Sequence, residues 1–385
     1  MGKTTSRVRS LPGLSSHPRA PVKEPKKDLA FASQGQLVWH NFRKHKVAMG
    51  SLVVLTLLYV GAIFADFIAP YEKNYRIPDV QFSAPTRVRV YEPGKGFSRP
   101  FVFAVTRQLD MKTFTYATVI DRSQKWYLRF FVKTDPYKLL RFIPVSHRLF
   151  GVDTGYIALF GTDNLGIDIL SQTLYASRIS LSVGLVGVAI SFVLGVILGG
   201  ISGYFGGTVD EIIQRFIEFI ITLPQLPLWI ALSAAVPNRW TGIQTFFAIT
   251  VILSLVGWTS LARVVRGRLI SMREEDYVMA ARVAGRRDGA IIRLHLLPGF
   301  MSYLVVNITL AIPAMILGET TLSFLGVGIL PPEVSWGAML REANDVTLIF
   351  NYTWYLTPCI FVIVAVLAFN FVGDGLRDAA DPYAR

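Results

Sequence analysis

A single cysteine, Cys359, and five scattered histidines are all the soft metal ligands in this chain of 385 residues. Cys359 lies inside an apolar run, so no intrachain disulfide is possible and thiol chemistry is not expected. The histidines show no metal-ligand spacing. The centres of the long apolar runs carry no charge. A bilayer-embedded enzyme would need nucleophile, acid and base at one depth, and a proton- or sodium-driven carrier usually marks its ion path with intramembrane acids or bases. A complete nucleotide-binding loop is also missing. Gly2-Lys3-Thr4 imitates the end of one, but the first glycine and the preceding strand are absent. If ATP powers this protein, a separate polypeptide must bind and hydrolyse it.

What the chain has in plenty is apolar surface. Hydrophobic residues make up 52% of it, which is too much for an ordinary soluble protein. The net charge of +13 is spread over segments that flank apolar runs rather than gathered on one domain. Membrane topology therefore explains it better than nucleic acid, and no nucleic-acid partner is expected. Six runs are near the ~20 residues that cross a bilayer. They cover residues 47–65, 179–201, 220–236, 241–262, 300–317 and 352–372.

The organisation reads as four regions. Residues 1–35 are a disordered basic tail. Residues 36–69 hold an aromatic and basic anchor, Trp39 to Lys46, and the first span, read as retained rather than as a cleaved signal peptide. Residues 70–160 alternate in polarity. Strands are expected over 86–90, 113–120 and 126–132, with turns at Glu92-Pro93-Gly94 and Asp121-Arg122-Ser123. This basic, β-rich insertion is placed outside the cell, because long loops cross regardless of charge. Residues 161–385 form a core with five more spans. Six spans put both termini on one face, and the basic tail and Arg-rich 263–298 loop make that face cytoplasmic.

Within the core, Gly195, Gly199 and Gly203 recur at four-residue spacing and predict a close helix contact. Residues 210–219 predict an amphipathic helix, and Pro224 and Pro227 a kinked or broken start to the third span. Asn307 and Pro313 fall inside the fifth span, and counting 1.5 Å per residue puts Glu319 at its far interface. The loop after the fourth span is a charged island. Ser271 and Glu274 have capping-box spacing and predict a helix start. That helix carries the small pair Ala280-Ala281 and closes at Gly285. Asp288 is expected to cap a second short helix, with Pro298 leading into the next span. A helix, a glycine corner and a helix make a knob suited to a partner's cleft.

The pattern Ala280-Ala281, Gly285 and Leu297-Pro298 resembles the coupling loop of ABC importer permease subunits. Met279 stands where that motif usually has Glu, a departure shared with the dipeptide and oligopeptide branch. Gly161-Thr162-Asp163-Asn164-Leu165-Gly166-Ile167-Asp168 with Tyr175 and Arg178 is similar to the opening of the core in that branch, with Ile167 and Gln172 where arginines are usual. Leu322 to Gly326, Pro331-Pro332, Ser335-Trp336-Gly337-Ala338-Met339-Leu340 and the tail from Gly373 through Asp381-Pro382 resemble it closely. The likeness covers about residues 37–73 and 161–385 and leaves the β region unmatched.

The resemblance implies an all-α polytopic membrane protein with six transmembrane helices, like type I ABC importer permeases, to which the alternation in residues 70–160 adds a β-rich extracytoplasmic insertion. It implies the C-type permease of a peptide importer in the bacterial inner membrane. Its partners would be a second permease, two cytoplasmic ATPase subunits that bind the ATP, and an extracytoplasmic solute-binding protein. No cofactor of its own is expected. The residues expected to meet the ATPase are Met279, Ala280, Ala281, Arg282, Gly285 and Arg286. A secondary carrier, and an ABC subunit of the mechanical or exporting kind with a large outer domain after its first span, are the competing readings.

Overall fold

A computed structural model describes residues 34–92, 96–111, 115–139, 142–152, 154–237 and 239–380. Almost all of the basic tail, and Asp381-Pro382, lie outside the described residues. The first elements are α1 (Gln34–Phe42), α2 (Lys46–Ile63) and α3 (Ala65–Ile68). Four strands follow: β1 (Arg89–Glu92), β2 (Gly96–Asp110), β3 (Thr115–Leu139) and β4 (Ile143–Val152). The core contains α4 (Ile169–Phe205), α5 (Gly207–Thr222), α6 (Gln225–Ala234), α7 (Gly242–Met272), α8 (Asp276–Val283), α9 (Asp288–Ile291), α10 (Leu297–Gly299) and α11 (Met301–Phe324). It ends in α12 (Trp336–Glu342), α13 (Val346–Asn351) and α14 (Thr357–Ala380).

Five described helices are long and apolar enough to cross a membrane: α2, α4, α7, α11, and α14 with the short turn before it. The expected third span is not a straight helix. Leu223 is extended, as the residue before a proline tends to be, and α5 and α6 meet at 88°. The ten residues of α6 reach about 15 Å, half of a ~30 Å hydrocarbon core. Only the bent pair taken together would make a sixth crossing.

The expected small-residue face of α4 packs on α7. A Cβ at Gly199 would strike the backbone of Ala262, and one at Gly203 would lie 2.7 Å from the Arg266 carbonyl oxygen. The two backbones therefore touch directly, which only glycine permits. On the other flank α14 packs against α2 and α11. A Cβ at Gly373 would meet Leu310 of α11, and one at Gly375 Ala48 of α2.

Glu319 stands near the end of α11, and residue count alone did not show that it is covered there. It is fully buried, accepting from Ser180 Oγ of α4 at 3.1 Å and Ser323 Oγ at 2.7 Å. The lid over it is α12. Trp336 N donates to Ser180 Oγ and Trp336 Nε1 to the Thr173 carbonyl. A Cβ at Gly337 would sit 2.5 Å from the Thr320 carbonyl oxygen. Depth along the helix was legible from residue count, but the covering helix arrives from residues further along the chain.

The strands form one antiparallel meander in the order β1-β2-β3-β4. The strands expected over 113–120 and 126–132 are one long strand, β3, whose first half pairs with β2 and second half with β4. Asp121-Arg122-Ser123 is not a hairpin turn. The register jumps from Ala104↔Asp121 to Phe103↔Lys125, so the extra residues form a bulge. The turn chemistry is present there, since Ser123 N and Oγ both donate to Asp121 Oδ1, but long-range pairing overrides it. Of the other expected turn, Pro93 and Gly94 lie outside the described residues.

Two arginines tie neighbouring elements to the segment after the first span, Arg178 joining α4 to the end of α2 and Arg148 joining the sheet to the end of α3. Arg178 donates to the carbonyls of Ala62 and Ile63 and pairs with Asp66 Oδ2 at 2.7 Å. It thus satisfies helix-end carbonyls that have no partner within the helix. Arg148, buried on β4, donates to the Ala69 carbonyl at 2.9 Å. Asp168 caps α4 by accepting from Ser171 N and Oγ, and burial pushes its carboxyl up to about 7.

Candidate coupling site

The loop after the fourth span does form a helix, a glycine corner and a second helix. Its start differs from the capping-box expectation. Ser271 belongs to the last turn of α7, and α8 begins after Glu275, which makes no side-chain cap. α7 continues through this position to Met272, so Ser271 never becomes an end. Asp288 likewise is not the cap of α9, because Arg287 occupies that position. The Asp288 carboxylate instead accepts from the Tyr204 hydroxyl at 2.6 Å.

The glycine corner forms as expected. Gly285 has φ +75°. Its N–H donates to the Arg282 carbonyl, and Arg286 N donates to the Ala281 carbonyl. That pair of bonds is a Schellman closure, and the left-handed residue within it strongly favours glycine. A Cβ at Gly285 would meet nothing within 4 Å, so backbone conformation rather than space selects glycine there.

One face of α8 is anchored and the other is open. Val278 is fully buried and Ala281 partly so, against a cluster that includes Tyr204, Val265, Leu269, Ile291 and Leu296. Met279, Ala280, Arg282, Gly285 and Arg286 are exposed, and Val283 beside them is 89% exposed. Val283 and Met279 thus leave apolar side chains bare beside the glycine corner. Arg282 is exposed yet held, with its guanidinium 5.3 Å over the Tyr204 ring. Of the six expected contact residues, Met279, Ala280, Gly285 and Arg286 share the open side. Ala281 mainly supports it, and Arg282 braces it.

Beneath the knob a polar clamp joins three helices. Arg266 of α7 makes a bidentate pair with Asp210 of α5, at 2.5 and 2.6 Å. Ser202 of α4 donates to Asp210 Oδ1, and Gln214 donates to Ser202 Oγ. The paired guanidinium holds the Asp210 carboxyl below the usual carboxylate range. Reading the chain in order did not reveal this role for Tyr204 or Arg266. Tyr204 directly follows Gly203 of α4 and Arg266 lies across the seam on α7, so nothing in either local sequence names its partner. Among the described residues no group of three or more His, Cys, Asp or Glu could hold a metal ion.

Comparison with known proteins places this arrangement in a family. Residues 192–385 match the family described as binding-protein-dependent transport system inner membrane component, and residues 33–85 match the N-terminal TM domain of oligopeptide transport permease C. The chain is 43% identical to the dipeptide transport system permease protein DppC of Bacillus subtilis, over 92% of this chain and 87% of that protein. It is 31% identical to the DppC of Lactococcus lactis, over 91% and 90% of the two chains. Alignments of that length run through the β region, which the motif likeness had left unmatched. A solved structure of the MetNI methionine ABC transporter aligns with 55% of this chain and 97% of its own, at 18% identity and a TM-score of 0.44. With the matched C-terminal half holding both the exposed knob and the helices that brace it, the chain belongs to the binding-protein-dependent transport system inner membrane components, the membrane permease subunits of ABC importers.

Proposed function

We propose that this permease forms one half of a peptide-translocating pore and takes its driving motion through the knob around Gly285. The observation that carries the reading is the pairing of an exposed apolar contact, Met279 and Val283, with a rigid mount made of the buried Val278, the Tyr204–Asp288 bond and the Asp210–Arg266 clamp. A knob so mounted transmits a push into α4 and α7 instead of dissipating it locally, and rigid helices convert such a push into alternating access. Peptide as the cargo rests on the DppC and OppC relatives, named for dipeptide and oligopeptide transport.

The reading requires two ATPase subunits that bind and hydrolyse ATP on the cytoplasmic side, a second permease to complete the pore, and a solute-binding protein outside. It places both termini and the 263–298 loop in the cytoplasm, the β sheet outside, and the chain in the bacterial inner membrane. Permease residues hold no nucleotide in this scheme. Replacing Gly285 by valine tests it. Uptake of peptide by cells carrying G285V falls to background, and ATP hydrolysis by the purified complex no longer responds to the loaded binding protein, while membrane insertion is unchanged. Uptake at the wild-type rate in that variant overturns the reading.

A further inference from the structure

The β3–β4 hairpin is a large feature that the knob does not use. Residues 86–152 hold thirteen of the chain's 39 lysines and arginines against four of its 26 acids. The course of β3 can be followed by its contacts. The Trp126 ring lies 5.4 Å from Tyr156 in the loop before α4, and the Phe131 ring lies 6.1 Å from Phe67 in α3, just past the end of the α2 span. Further along, Tyr137 and Lys138 line a cavity with Tyr175, Arg178 and Ile179 of α4. Ile179 is ten residues inside α4, where its uncharged stretch begins. The hairpin therefore runs beside the end of α2 to the level where a charged cluster that includes Asp66, Glu72, Arg178 and Glu333 borders the uncharged stretch of α4.

At that depth it presents bare aromatic rings beside lysines. Phe130 and Phe131 are each 64% exposed and Phe142, at the hairpin turn, 73%. Lys133 and Lys138 are exposed between them. Such rings are costly in water, whereas aromatic and basic residues together are what a bilayer's headgroup layer accepts. The neighbouring span leaves room for lipid, since α2 buries only Ala48, Ser51, Leu55 and Ala62 of its 18 residues. We infer that the β3–β4 hairpin is an interfacial anchor, with Phe142, Phe130 and Phe131 seated among lipid headgroups and Lys133 and Lys138 facing lipid phosphates. Depth, exposure and charge all favour a lipid surface over a protein partner, and the inference holds whichever side of the membrane the sheet occupies.

Depth-dependent quenching of the full-length chain tests it. With Cys359 replaced by alanine, an environment-sensitive fluorophore is attached through F142C, and in a reference protein through F97C, whose native side chain is 87% exposed at the far hairpin. Both proteins are placed in phosphatidylcholine–phosphatidylglycerol vesicles containing a lipid nitroxide labelled near the headgroup. The label at position 142 is expected to be blue-shifted, quenched several-fold more by the lipid nitroxide than the label at 97, and protected from aqueous iodide. K133E with K138E is expected to lower the lipid quenching in these vesicles but not in pure phosphatidylcholine. A label at 142 that iodide reaches and the lipid nitroxide does not places the hairpin in water and overturns the inference. A label shielded from both quenchers means that protein covers the hairpin, and overturns it equally. Should F142C fail to fold, F130C carries the same test.

Discussion

The α4–α7 seam and the corner at Gly285 both depend on glycine, for opposite reasons. At Gly199 there is no room, because a Cβ would overlap the backbone of Ala262. At Gly285 there is ample room, and the constraint is a φ of +75°. The first glycine lets two spans behave as one rigid body. The second aims a surface feature that the body carries. A steric glycine and a conformational glycine should therefore fail differently when replaced.

The largest effect is expected at the seam. G199L forces α4 and α7 apart, an overpacking cost of about 3 kcal/mol or more, and the yield of monodisperse protein after detergent extraction should collapse. G285V costs about 1–3 kcal/mol of backbone strain confined to the exposed corner, so the melting temperature should fall modestly and extraction stay near wild type while peptide uptake is lost. G285A should fall between the wild type and G285V in uptake. If G285V instead aggregates, or if G199L stays monodisperse, the contrast between the two glycines is wrong.

The clamp lies between these extremes. D210N leaves the Arg266 fork with one weakened acceptor and should lower the melting temperature by an amount matching about 1–2 kcal/mol. R266K keeps the charge but cannot make the bidentate geometry, and should recover only part of what R266A loses. A smaller loss follows from Y204F, which keeps the ring under Arg282 and removes one hydrogen bond to Asp288. It should cost about 1 kcal/mol of mount stability, seen as reduced uptake at normal protein level.

A pH dependence is also expected, at Asp168. Its folded carboxyl titrates near 7, above the ordinary value of 3.8. The folded chain therefore binds a proton that the unfolded chain has lost, and this contribution to stability declines as pH rises from about 4 through 7. D168N should flatten that slope in thermal melts.

The elements that could be read from the chain alone were those set by local chemistry. Gly285 sits at the end of a short amphipathic helix with no competing donor, so its closure was legible. The glycine repeat at 195, 199 and 203 pointed to a close contact because spacing by four puts those residues on one face. The expectations that missed involve competition from distant segments. Ser271 has the composition of a cap, but α7 runs through it. Asp121 and Ser123 make their local bonds, yet pairing with β2 keeps the strand going. Glu319 was assigned a depth, but not the serines of α4 and α11 that receive it or the helix that covers it.

Apolar run length, the separation of charge from those runs and the glycine pattern settled by themselves that this chain lives in a bilayer and that α4 needs a close neighbour. These are one-dimensional properties, because the hydrophobic effect and the helical period act along the chain. Which helix is that neighbour, what holds Tyr204 to Asp288 and Arg266 to Asp210, and how the 88° bend of α5 and α6 replaces a straight span were decided only in three dimensions. Such contacts join residues dozens of positions apart, and their energy exists only once both partners are already in place.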